Sequence, residues 1–147
     1  MINMEDPSED LIESIQCKFL DIGYFKPSQL YEDRSFGGRK EIKQSQLDEI
    51  VKEFIENRFD MTTPYMHGTV DELSKSRHKW NCYLVDGYPR LQAWKLCNQD
   101  CWDLSNYPTA FTVICYENLT PEEKFALHSS EHVRYAVECK VQFVNPS

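Results

Sequence analysis

Residues 83–94 read Tyr83-Leu84-Val85-Asp86-Gly87-Tyr88-Pro89-Arg90-Leu91-Gln92-Ala93-Trp94. A compact apolar run from Trp80 to Val85 breaks at Asp86-Gly87, and Leu91, Ala93, Trp94, Leu96 and Cys97 then supply a helix. Pro89 suits the first turn of that helix, where a backbone amide has no intrahelical acceptor. The unit is a strand, a glycine turn and a helix. It aims unpaired amides and the positive end of the helix dipole at one point, which favours an anion. Gly87 lets the backbone approach a phosphate with no Cβ in the way, and Arg90 can fork two hydrogen bonds onto phosphate oxygens. An ordinary β-turn with a solvated arginine has the same spacing, so the segment speaks to local fold before it speaks to function.

On the N-terminal side, Phe19-Leu20 and Ile22, bounded by Gly23 and Pro27, predict a strand over 18–25. Arg34-Ser35-Phe36-Gly37-Gly38-Arg39 is a loop. Ser45 with Asp48 three residues on resembles a capping box, and Leu47, Ile50, Val51, Phe54 and Ile55 follow at the spacing of one helical face. β-formers over 62–70, interrupted by Pro64 and Gly68, predict a further strand, separated by a basic turn at 75–79 from the strand of the central unit. On the C-terminal side, 109–116 is β-rich. Thr120-Pro121-Glu122-Glu123 then supplies an N-cap, a first-turn proline and a glutamate at the third position, opening a helix expected to run to about Val137. Residues 1–17 read as an acidic, frayed lead-in in preference to a short helix at 8–15, and 18–147 as a single domain. The order β, α, β, β, α, β, α predicts an α+β, or mixed α/β, domain with a small mixed sheet and packed helices.

Composition narrows the function classes. With 147 residues, 41% apolar and 13% aromatic, the chain has material for one ordinary core and does not resemble a disordered sequence. Its 24 acidic and 16 basic side chains give a net charge of −8. That charge disfavours nonspecific binding to a phosphate backbone, so DNA binding is not expected of this chain. The acidic start and the absence of a long apolar stretch predict no signal peptide and no membrane span, hence a cytoplasmic or nuclear protein. The irregular spacing of Cys17, Cys82, Cys97, Cys101, Cys115 and Cys139 suits buried free thiols in a reducing compartment.

Over roughly 18–137 the chain resembles the ParB/sulfiredoxin-like superfamily of nucleotide-binding domains. The resemblance lies in the 34–39 arginine loop, the 47–55 helix, Leu84-Val85-Asp86-Gly87-Tyr88-Pro89-Arg90-Leu91-Gln92-Ala93, and the order of the surrounding elements. It implies that Gly87, Tyr88, Pro89 and Arg90 hold nucleotide phosphates, and Asp86 matches the Asp-Gly-x-x-Arg variant found in the superfamily's free-serine kinases. The ParB Glu-Asn-x-x-Arg motif is similar to Ser130-Glu131-His132-Val133-Arg134, with Arg134 on the family arginine. Glu131 stands where the family has an amide, and would repel a phosphate unless it holds a metal or pairs with Arg134. The implied ligand is CTP, ATP or ADP with magnesium, with Arg34 and Arg39 adding positive charge. Hydrolysis or phosphoryl transfer would then need a metal and a group orienting the nucleophile, a role for which Asp86 is the sequence candidate.

Sulfiredoxin chemistry requires a cysteine in the turn, where this chain has Tyr88. ParB partition proteins carry a DNA-binding segment after this module, so with Ser147 as the last residue partitioning is not expected. Cys97, Cys101, His67, His78, His128 and His132 lack the spacing of a zinc set. The alternative to nucleotide binding is a diverged, non-catalytic interaction domain that binds a protein partner or a second copy of itself. Pro89 and the altered second motif favour it, with Tyr88, Trp94 or Trp102 as surface anchors.

Overall fold

The computed structural model describes residues 9–37, 41–56, 65–70, 81–99 and 110–144. Five strands form one mixed sheet: β1 (Phe19–Phe25), β2 (Leu30–Glu32), β3 (Met66–Val70), β4 (Cys82–Asp86) and β5 (Phe111–Tyr116), in the order β1-β5-β3-β4-β2. β1 runs antiparallel to β5 and β3 antiparallel to β4, whereas β3 with β5 and β2 with β4 are parallel pairs. Five helices are present among the described residues: α1 (Glu9–Cys17), α2 (Gln44–Glu56), α3 (Tyr88–Gln99), α4 (Pro121–Ser129) and α5 (Glu131–Val144). This is the expected α+β class.

Strand alternation divides the core in two. Phe111, Val113 and Cys115 of β5 join Cys82 and Leu84 of β4 in a core covered by Ile50 and Val51 of α2 and Leu91 and Ala93 of α3. On the other face, Ile114, Tyr116 and Val85 pack with Ile15 of α1, Leu127 of α4, and Val133 and Val137 of α5. β5 is buried at all six positions, which is why it reads as a nearly continuous β-forming run.

Three expectations are corrected, and one strand is unanticipated. Residues 9–17 are not a frayed lead-in: Leu11, Ile12 and Ile15 present one stripe of α1, and Ile15 is completely buried. β2 carries too few residues to show alternation, and only its pairing with β4 makes it a strand. Ser45 lies inside α2 rather than capping it, since the amide of Leu47 bonds to the carbonyl of Lys43. The helix opened by Thr120 stops at Ser129, and Ser130 starts a second one by accepting the amide of Val133 at its Oγ (3.2 Å). The capping box itself forms as read: Thr120 Oγ1 accepts from the Glu123 amide at 3.2 Å, and Glu123 Oε1 accepts from the Thr120 amide at 2.8 Å. Of the cysteines with described side chains, Cys82 and Cys115 are buried but Cys17 and Cys139 are exposed, and all four are free.

Candidate ligand cleft at the glycine turn

β4 delivers Asp86 and Gly87 to the carboxyl end of the parallel pair β2/β4, where α3 begins. Gly87 has φ +102°, and a Cβ there would sit 2.6 Å from Cγ of Met66, so the position requires glycine twice over. The Arg90 amide bonds to the Gly87 carbonyl at 3.1 Å and closes the turn. Beside it lies a cleft of about 1170 Å³ whose walls include Glu32, Lys43, Tyr88, Pro89, Gln92 and His128. Glu41 of the residues preceding α2 also borders it.

The loop following β2 is fastened over one wall. Lys124 of α4 donates to Asp33 Oδ2 at 2.8 Å and to Ser35 Oγ at 2.7 Å, and the Ser35 amide donates to Asp33 Oδ1 at 2.7 Å. Burial pushes the Asp33 carboxyl up, but the bonds from Lys124 and Ser35 outweigh it and hold the group below the ordinary carboxylate range. The latch seats Phe36 edge-on against the His128 ring, with centroids 5.6 Å apart. His128 Nδ1 lies 3.1 Å from the Val85 carbonyl.

Asp86 does not face this cleft. Between β3 and β4 the register shifts, pairing Gly68 with Leu84 but His67 with Asp86, so one extra β4 residue is accommodated by a bulge. Simple alternation would put Asp86 with Leu84 on the α2/α3 face; instead its Oδ2 lies 3.5 Å from Nε of Arg134, on α5. Arg134 also donates through Nη1 to the carbonyls of Leu127 (2.8 Å) and His128 (3.1 Å), which closes the C-terminal end of α4. Burial raises the Asp86 carboxyl above its ordinary range, against the pull of Arg134, His67 and His128. Next to this pair, completely buried His67 bridges Tyr116 Oη (2.8 Å) and Glu138 Oε1 (2.9 Å).

The structure therefore brings Tyr88 and Pro89 to the cleft, with Gly87 and Arg90 flanking them in the turn but not among its walls, and pairs Asp86 with Arg134 elsewhere. They form a clamp joining β4, α4 and α5, so neither lines the cleft in which the resemblance would place Asp86 as the nucleophile-orienting group and Arg134 as a phosphate ligand. Arg34 is exposed, with its Nε 3.6 Å from Oε1 of Glu32. Glu131 is exposed in the first turn of α5, and among the described residues no group of three His, Cys, Asp or Glu side chains is placed to hold a metal ion. Arg39 lies outside the described residues, as does Trp102. Tyr88 and Trp94 pack against the α2/α3 core and are half-buried. Glu32, Lys43 and His128 were not singled out for this cleft by the sequence, because they converge from three separate elements with no shared local pattern.

No protein-family model matches the chain, and no curated protein is significantly similar to it. The class established is thus an α+β domain with a five-stranded mixed sheet, helices on both faces and a cleft at the carboxyl end of its β2/β4 pair.

Proposed function

We propose that the chain is a nucleotide-binding domain of the ParB/sulfiredoxin-like kind, with its ligand in the cleft and the ligand's phosphates on the Gly87–Arg90 turn. The observation that carries this is the opening of α3, through a positive-φ glycine, beside a cleft of about 1170 Å³. A helix start supplies amides and dipole for a phosphate, and the cleft is large enough to enclose the rest of a nucleotide. Lys43 adds a cation on the α2 side, which suits an anion on a protein of net charge −8. Magnesium suits one or two carboxylates together with ligand phosphates rather than a full protein cage, and Glu32 and Glu41 are the carboxylates at hand. With Asp86 committed to its clamp, the proposal is binding, without an assigned catalytic group.

A thermal-shift panel of CTP, ATP, ADP and GTP, with and without magnesium, tests it on the wild type and Arg90→Ala. A nucleotide at about 100 times its dissociation constant stabilises the fold by about 2.7 kcal/mol, a readily visible rise in Tm. The expected result is a rise with at least one nucleotide that Arg90→Ala diminishes. No rise with any of them at millimolar concentration overturns the proposal.

The interaction-domain alternative is favoured by a different surface. Tyr31 of edge strand β2 stacks on Tyr83 of β4 (centroids 5.6 Å apart), and both are exposed. Loss of a protein partner on Tyr31→Ser, with Arg90→Ala still binding it, would support that role.

A further inference from the structure

We infer that His128 is the cleft's hydrogen-bond acceptor for a ligand hydroxyl, so that the ligand is a hydroxyl-bearing phosphate ester held through its sugar as well as its phosphate. This rests on the cleft being the ligand site, and it names a binding residue that no motif marks.

The first support is the fixed tautomer. Nδ1 is 3.1 Å from the Val85 carbonyl oxygen, which can only accept, so Nδ1 carries the hydrogen. In the neutral ring Nε2 then holds the lone pair. Among the described residues no group hydrogen-bonds Nε2, while His128 lines the cleft.

The second support is the rigidity of the ring. Its attachment to Val85 fixes one edge, and Phe36 packs against it at 65°. Phe36 is itself buried on the loop that Lys124 latches to α4. An acceptor held from both sides loses little freedom when a ligand donates to it.

The third support is the polarity of the cleft. One side offers the α3 start and Lys43, which suit an anion; Glu32, Glu41 and the His128 Nε2 offer acceptors. A purely anionic ligand such as pyrophosphate would bring no donor to Nε2 of His128, and an apolar ligand would satisfy neither side. A phosphate ester carrying free hydroxyls satisfies both.

The test uses binding of ATP and CTP, their 2′,3′-dideoxy counterparts and ribose 5-phosphate, measured by calorimetry on wild type and His128→Asn. The Asn amide nitrogen can keep the bond to Val85 that Nδ1 makes but has no atom where Nε2 stands, and His128→Leu, which fills the space against Phe36 without any acceptor, serves as a second variant should the first melt early. The wild type is expected to favour the ribonucleotide over the dideoxy form by about tenfold, one hydrogen bond's worth. In His128→Asn that preference should collapse while phosphate-dependent binding remains. Equal affinity of the wild type for both nucleotide forms, or a preference that survives His128→Asn, overturns the inference and leaves nucleotide binding standing. Binding of ribose 5-phosphate in a His128-dependent way with no nucleotide bound supports the inference and overturns the nucleotide proposal. Binding of none of these ligands overturns both.

Discussion

The two histidines near the end of β4 have opposite fates. His67 is completely buried, and both of its nitrogens are occupied: Nε2 lies 2.9 Å from the Glu138 carboxylate and Nδ1 2.8 Å from the Tyr116 hydroxyl. His128 spends one nitrogen on the Val85 carbonyl and turns its ring toward an open cleft. The cluster under α5 is closed on itself, with Asp86 and Arg134 completing it. Polar groups of this kind specify how elements dock, whereas those of the cleft are held in place but left with capacity to bind. A charged or titratable residue near a glycine turn is therefore no guide to function until its partners are known.

The sharpest way to break the closed cluster is Arg134→Met. It strands the Asp86 carboxylate and frees the Leu127 and His128 carbonyls, so the expected loss is about 2 kcal/mol of stability in a denaturant titration without any ligand. Were Arg134 a phosphate ligand instead, the same change would leave the free protein's stability unaltered and weaken only binding.

A smaller effect distinguishes the carboxyls by pH. For Glu123, burial pushes the carboxyl up, but bonds from Lys18, Ser14 and Thr120 prevail and lower it, as Lys124 and Ser35 do for Asp33. Groups lowered on folding stabilise above their ordinary values, 3.8 and 4.5, and that contribution fades as pH falls through the folded values. Asp86 is raised, so its contribution has the opposite sign: stability drops as pH rises from 3.8 through its folded value. Melting temperatures should therefore decline on acidification below 4.5, and Asp86→Asn should make that decline steeper by removing the opposing group. An unchanged acid limb in Asp86→Asn would show that the carboxyl is not raised by its surroundings.

The least effect belongs to Arg34→Ala. The side chain is 81% exposed and its pairing with Glu32 is a long contact of 3.6 Å, so stability should move by no more than about 0.5 kcal/mol. A larger loss in a thermal melt would mean that the loop following β2 depends on Arg34 as well as on the Lys124 latch.

Much of the frame was legible because it rests on local rules. The 3.6-residue spacing of Leu47, Ile50 and Val51 marks α2, and Thr120-Pro121 with Glu123 marks the start of α4 down to its reciprocal bonds. The Asp86-Gly87 break marks the strand-to-helix turn, since few residues other than glycine tolerate φ +102°. The site was legible only at that turn. Its other wall comes from Glu32, Lys43 and His128, which are far apart along the chain, and a side chain's neighbours across such distances leave no trace in local spacing.

By itself the sequence determined the fold class, the main helices and central strands, and the glycine turn, all of which follow from periodicity, capping and backbone sterics within a few residues. Only the tertiary structure decided that residues 30–32 form a strand, that α1 belongs to the core, and that a bulge carries Asp86 away from the cleft and onto Arg134. It also decided which histidine is consumed and which faces the cleft, because hydrogen-bond saturation depends on partners that meet only after the chain has folded.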